Sequence, residues 1–235
     1  MAVTFDDAFE AGTGAQASPF SFTSGSGTVP GTVGANNNRV LIGFLGARAT
    51  SVQLGTPSMT WAGAGMTLIG QLNESVFTLA LFGLIAPTTG SQTLSASWTG
   101  AHATVTVIGG ISVYEANQST GWQNFTSTSA TGTAASLTVT SANGNMVVGG
   151  RSDDNSSGET IADGTEDWND RNFNGNYGGV HRASVSSSTV IGWTISSVLW
   201  GMVGVDVIAA SGGGLGPVNP HLQPSFRPFQ YSGKR

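Results

Sequence analysis

"QTLSASWTGAHATVTVIGGISVYEA", residues 92–116, sets how the chain is read. Leu94, Ala96 and Trp98 alternate with Thr93, Ser95 and Ser97, and Val105 and Val107 alternate with Thr104 and Thr106. Period two places each set on one face of an extended strand, so each run predicts a strand with one face turned to a core. The pair Gly109-Gly110 interrupts the second run and predicts a bulge or kink.

The same signal recurs on both sides. "RVLIGFLGA" (39–47), "SMTWAG" (58–63), "MTLIGQL" (66–72) and "VFTLALFGLI" (76–85) are short apolar runs split by Gly, Pro or Asn. "SLTVTSANGNMVVGGR" (136–151) reads as two strands joined at Asn143-Gly144, a strong hairpin signal. "TVIGWTI" and "LWGMVGVDVIAA" end the series, while "VTFDDAFEA" and "SPFSFTSG" supply edge strands near the start. No convincing helix of ten residues is present. The expected fold is all-β: a two-sheet antiparallel β-sandwich, jelly-roll or Ig-like, over residues 1–210. An extended Gly/Pro-rich arm follows at residues 211–235.

Composition narrows the function classes. Charged residues make 9% of the 235, against about 25% in an average domain. Such a surface suits a protein whose faces are covered by neighbours. The net charge is −5 and Lys234 is the only lysine, so no nucleic-acid footprint is expected. There are no cysteines, which excludes disulfides and thiolate metal sites. "MAVTFDDAFE" lacks the basic and apolar regions of a signal peptide, and no apolar run nears the ~20 residues of a membrane span. A product made in the cytoplasm, with no membrane partner, is expected. Sequons at Asn73, Asn117, Asn124 and Asn155 are those that a Ser/Thr-rich chain carries by chance.

The ordered pattern "NNNRVLIGFLGA", "SVQLGTPSMTWAGAGMTLIGQL", "VFTLALFGLIAPTTGSQTLSASWTG", "SLTVTSANGNMVVGG" resembles a β-sandwich module of bacterial surface proteins and tailed-phage structural proteins. Trp61-Ala62-Gly63 stands where that module carries Tyr-Gly-Gly, and Pro87-Thr88-Thr89-Gly90 where it carries Pro-Pro-x-Gly. The resemblance covers roughly residues 36–210. It implies a fold and no shared activity.

Catalytic motifs are missing from the sequence: no H-E-x-x-H, G-x-S-x-G or P-loop occurs. His102, His181 and His221 are far apart and read as surface or loop histidines. Residues 151–179 hold seven of the 13 acidic residues, interleaved with Trp168, Phe173 and Tyr177. This segment reads as a long solvated loop. Its aromatic rings beside Asn and Asp are candidate sugar or partner contacts, as are Trp122 and Phe125 in "STGWQNFTS". A Ca²⁺ loop from Asp153 lacks the acidic twelfth position, which is Gly164. Paired carboxylates for glycoside hydrolysis need a separation that sequence does not supply. Asp206, inside an apolar strand, reads as structural. No enzyme activity, cofactor or metal is expected.

The arm carries Pro217, Pro220, Pro224 and Pro228 beyond a Gly212-Gly213-Gly214 joint. Prolines at this spacing favour an extended path, and the glycines uncouple it from the body. Phe226, Phe229 and Tyr231 are anchors for a neighbour's apolar pockets, with Arg227 and Arg235 adding positive charge. Together with the resemblance, this leads us to expect a tailed-phage capsid decoration (cement) protein. It would be made in the host cytoplasm and sit on the virion capsid surface as a homo-oligomer, a trimer by analogy. Its partners would be itself and the major capsid protein or another virion protein. The alternative is a phage fibre or bacterial surface module that binds glycans through residues 151–179.

Overall fold

The computed structural model describes residues 1–12, 21–23, 26–48, 55–99, 105–154, 158–172 and 175–211. Among these the chain forms strands and no helix, and every ladder is antiparallel. A central sheet runs in the order β1 (Thr4–Gly12), β10 (Val105–Tyr114), β4 (Val40–Arg48), β8 (Phe77–Ile85), β7 (Thr67–Asn73). One face meets a sheet of β2 (Ser21–Thr23), β3 (Ser26–Val33), β9 (Gly90–Ser97), β5 (Ser58–Trp61) and β6 (Ala64–Gly65). The other face meets β11 (Trp122–Thr140), β16 (Ser188–Val207), β12 (Met146–Asp153), β15 (Gly175–Ala183) and β14 (Thr165–Asn172), with β13 (Thr160–Asp163) also paired to β16.

The expected antiparallel sandwich is present, and a third sheet extends it. β4 and β8 are unbroken apolar runs because the central sheet is covered twice. Leu41, Leu45, Phe82 and Ile108 pack against Val29, Met59, Trp61 and Leu94. Ile42, Phe44, Leu81 and Val113 pack on the opposite side against Val148, Tyr177, Val203 and Val205. Thr106 and Ser112 of β10, polar by pattern, are buried for the same reason. The Ser112 hydroxyl donates to the Asp6 carboxylate at 2.8 Å.

The third sheet folds back on itself. β11 and β16 pair along their full lengths, but Gly132 faces Val198 while Ala134 faces Thr194, so β16 carries extra residues there. The ribbon turns at that point. Beyond it, Ala135, Leu137, Val139, Ile191 and Trp193 lie on Val147, Val180 and Met202. The Asn124 side-chain amide donates to the Thr140 carbonyl at 3.0 Å. A straight strand would hold these two residues roughly 50 Å apart.

Two local expectations are corrected. The turn at Asn143-Gly144 forms, with the Asn145 N–H on the Ala142 carbonyl at 3.0 Å and Gly144 at φ 89°. It does not make a hairpin, because β16 lies between β11 and β12 and pairs with both. β16 is apolar on both faces, Val203 and Val205 toward one core and Met202 toward the other, and so takes the interior place. At Gly109-Gly110 neither flanking ladder slips register. These glycines make room instead: a Cβ on Gly109 would lie 2.8 Å from the Trp168 ring, and one on Gly110 would lie 2.5 Å from the Phe9 ring.

The segments that carry the resemblance touch one another. The Trp61 indole N–H donates to the Thr88 carbonyl at 2.8 Å. Ala62 and Gly63 form the two-residue turn between β5 and β6, with φ of 50° and 81°. Both central positions of such a turn favour glycine.

Two outcomes follow from this geometry. Gly109→Ala is expected to destabilise the protein by about 1–3 kcal/mol through overpacking against Trp168, measured by urea denaturation. Ala62→Gly relieves a left-handed Cβ clash of about 1–2 kcal/mol against a backbone-entropy cost of roughly 0.5–1 kcal/mol. It is expected to leave stability unchanged or raise it by up to about 1 kcal/mol in the same assay.

Candidate functional site

The acid-rich segment is built of strands. Residues 151–153 end β12, and β13, β14 and β15 follow within 160–183. Trp168 is 8% exposed, edge-on to Phe44 with centroids 5.2 Å apart. Tyr177 is fully buried on Gly46. The expectation of a solvated loop offering these rings to sugar is therefore corrected: they are core residues. Their strands bury one side, and the rings fall on that side. Trp122 and Phe125, expected in a loop, open β11 and are half-buried, their rings over Gly83 and Gly70. Phe173 and the arm residues Phe226, Arg227, Phe229, Tyr231 and Arg235 lie outside the described residues, as do His102 and His221.

Polar groups gather at three places. Under the folded ribbon, Arg151 is fully buried and ion-paired with the equally buried Asp153. Its guanidinium carbon sits 5.0 Å over the Trp193 ring, whose N–H donates to Glu166 at 2.8 Å. The Asn176 amide donates to Asp153 at 3.2 Å and also to Glu159. A buried ion needs such partners because desolvation is costly. The Asp153 carboxylate, first position of the Ca²⁺ reading, is thus engaged by Arg151 and Asn176. At the other end of the same layer, Asp206 is fully buried. It accepts from Ser141 at 2.5 Å, Asn145 at 2.7 Å and Gln123 at 3.0 Å.

The third place lies along β1 and β14. His181, expected on a surface or loop, sits on β15 with its side chain 14% exposed. It meets Asp167 at 2.7 Å and stacks on Phe5 with centroids 4.4 Å apart. Burial pushes the Asp167 carboxyl up, while the His181 hydrogen bond pulls it back. A groove of about 440 Å³ opens beside His181, past Asp163, Thr165 and Arg182. Arg182 and Asp163 already pair there at 2.7 Å. Burial raises Glu10 from 4.5 to about 7, helped by the nearby Asp170 charge, and burial raises Asp170 as well.

Glu10, raised to about 7, is the carboxyl suited to hold a proton near neutrality. Asp170 is 5% exposed, which closes it to a bulky substrate such as a polysaccharide. Among the described residues no group of three His, Asp or Glu is placed to hold a metal. Glu10 and Arg151 were not singled out by the sequence. Arg151 had a signal, a lone cation ending the apolar run "NMVVGGR".

Comparison with protein-family models, with curated proteins and with solved structures gives no match.

The Glu10 shift has a direct consequence. In the unfolded chain this carboxyl ionises near pH 4.5, but in the folded protein it holds its proton to about 7. The native state thus binds more protons between these values, and stability falls as pH rises through them. Glu10→Gln is expected to raise the melting temperature at pH 8, with the gain fading toward pH 4. Thermal melts at pH 4, 6 and 8 check this.

Proposed function

We propose that the chain is a virion structural protein of a tailed bacteriophage, a capsid decoration protein that grips its neighbours through the arm at residues 211–235. The observation that carries this reading is the division of the chain. All 13 acidic residues precede Ser211, while three of the eight basic ones, Arg227, Lys234 and Arg235, lie beyond it. Of the net −5, the body therefore holds −8 and the arm +3. An aromatic, cationic extension on an anionic body is complementary to further copies of that body. The weakly charged composition and the resemblance to phage structural modules support the same view. Glycan binding through residues 151–179 is the weaker reading, because Trp168 and Tyr177 are buried.

Energetics set a requirement on the arm. A fully buried Phe contributes about 1.5–3 kcal/mol, whereas ordering each residue costs about 1–2 kcal/mol. Phe226, Phe229 and Tyr231 cannot hold twenty residues alone, so backbone pairing or charge contacts must add to them.

A chain ending at Ser211 is expected to keep the melting temperature of the full protein and to bind virus particles lacking the protein far more weakly. Cosedimentation with such particles reads this out. Unchanged binding would remove the arm from the proposal, and binding only at the tail tip would replace decoration by a fibre role.

A further inference from the structure

We infer that the outer edge of β11 is the docking site for the arm of a second copy, which adds to it as a strand. The inference rests on the reading of the arm given above and names its receptor.

β11 ends its sheet, and among the described residues no strand pairs with its outer edge. Its 19 residues, "WQNFTSTSATGTAASLTVT", contain no Asp, Glu, Lys, Arg or Pro. Exposed edges of this length are ordinarily guarded by charge or proline, because unpaired N–H and C=O groups recruit other strands. Three other edges are guarded in that way: β1 carries Asp6, Asp7 and Glu10, β14 carries Glu166, Asp167 and Asp170, and β13 carries Asp163. The edge strands β7, β2 and β6 are uncharged too, but they are short, with seven, three and two residues. β11 is long, uncharged and open.

The arm has the sequence of an added strand. Pro220, Pro224 and Pro228 share one parity. In an extended chain alternate residues direct their N–H groups to opposite edges, so all three missing donors fall on one edge. His221, Gln223, Ser225, Arg227 and Phe229 then present intact N–H and C=O groups to the other edge. The same alternation gathers Pro220, Leu222, Pro224, Phe226 and Pro228 into one apolar face.

Direction selects a second copy. The chain leaves the body beside the start of β11, with the Ile208 N–H on the Gly121 carbonyl at 3.0 Å and the Ala210 N–H on the Glu115 carbonyl at 2.7 Å. Antiparallel pairing, the rule in every ladder here, requires the arm to arrive from the far end. Residues 122–132 span roughly 33 Å before the ribbon turns. From Ser211 to Asn219 the chain makes eight steps and reaches at most about 29 Å. A strand of residues 219–229 laid along the whole of 122–132 therefore lies beyond the chain's own reach and comes from a neighbour.

The chain has no cysteine, so introduced ones report cleanly. One preparation would carry Thr126→Cys, opposite Ser225 in that register, and a second Ser225→Cys. Thr128→Cys samples the register two residues further along β11. After mixing and mild oxidation, a disulfide-linked pair between the two preparations is expected, abolished by excess synthetic peptide of residues 212–235. Far-UV circular dichroism confirms that each variant is folded. Absence of the cross-linked pair with both β11 positions overturns the inference, as does a 126–225 disulfide confined to one chain of the double variant. Light scattering on the chain ending at Ser211 separates the two layers of argument. If truncation abolishes self-association and no cross-link forms, the arm reading stands and the β11 site is wrong. If truncated and full chains associate alike, both fall.

Discussion

Aromatic rings seated on strand glycines set the spacing of this molecule. Between the central sheet and the β11–β16 sheet, Tyr177 lies on Gly46, Trp168 lies on Gly109, and Phe44 reaches back onto Gly150. Each ring takes the volume that a side chain on the facing strand would have filled. The contacts run in both directions, so neither sheet can shift along the other without a ring meeting backbone. On the opposite face Phe9 lies over Gly31 and Gly110 and stacks near Trp61, with centroids 5.4 Å apart. Several strand glycines are in this way the complement of the aromatic rings.

That relationship explains what was legible in the sequence. Strand positions were visible from period two, which set Leu94, Ala96 and Trp98 on one face, and all three are buried. The unbroken apolar runs of β4 and β8 contained the sign of a doubly covered sheet, because a strand with one buried face alternates. Gly109-Gly110 read as a kink because local sequence cannot tell a glycine that bends a strand from one that admits a distant ring. The acid-rich segment misled for a related reason. Its charge suggested solvent, yet Arg151, Asp153, Glu159 and Asp170 are buried where the folded ribbon and β1 cover them. Sequence counts charges but not the partners that let them be enclosed. The site fared worse than the fold, since the arm anchors lie outside the described residues and two of the rings offered to a partner proved to be core.

Buried polar groups hold the outer layer at both ends. Arg151 with Asp153 secures one end and Asp206 with Ser141 and Asn145 the other, with Val147, Val180, Ile191 and Met202 between them. An apolar layer alone would tolerate sliding, but directional hydrogen bonds at its two ends admit one register.

The place of β16 also bears on synthesis. It is the last described strand, yet it lies between β11 and β12 and spans both layers of its sheet. Until residue 207 leaves the ribosome, β11 and β12 each expose an edge that only β16 can satisfy. The sandwich formed by residues 4–114 has all its strands much earlier. The nascent chain thus completes one half while the other waits open, and long-range pairing of this kind closes slowly and stays exposed to wrong partners meanwhile.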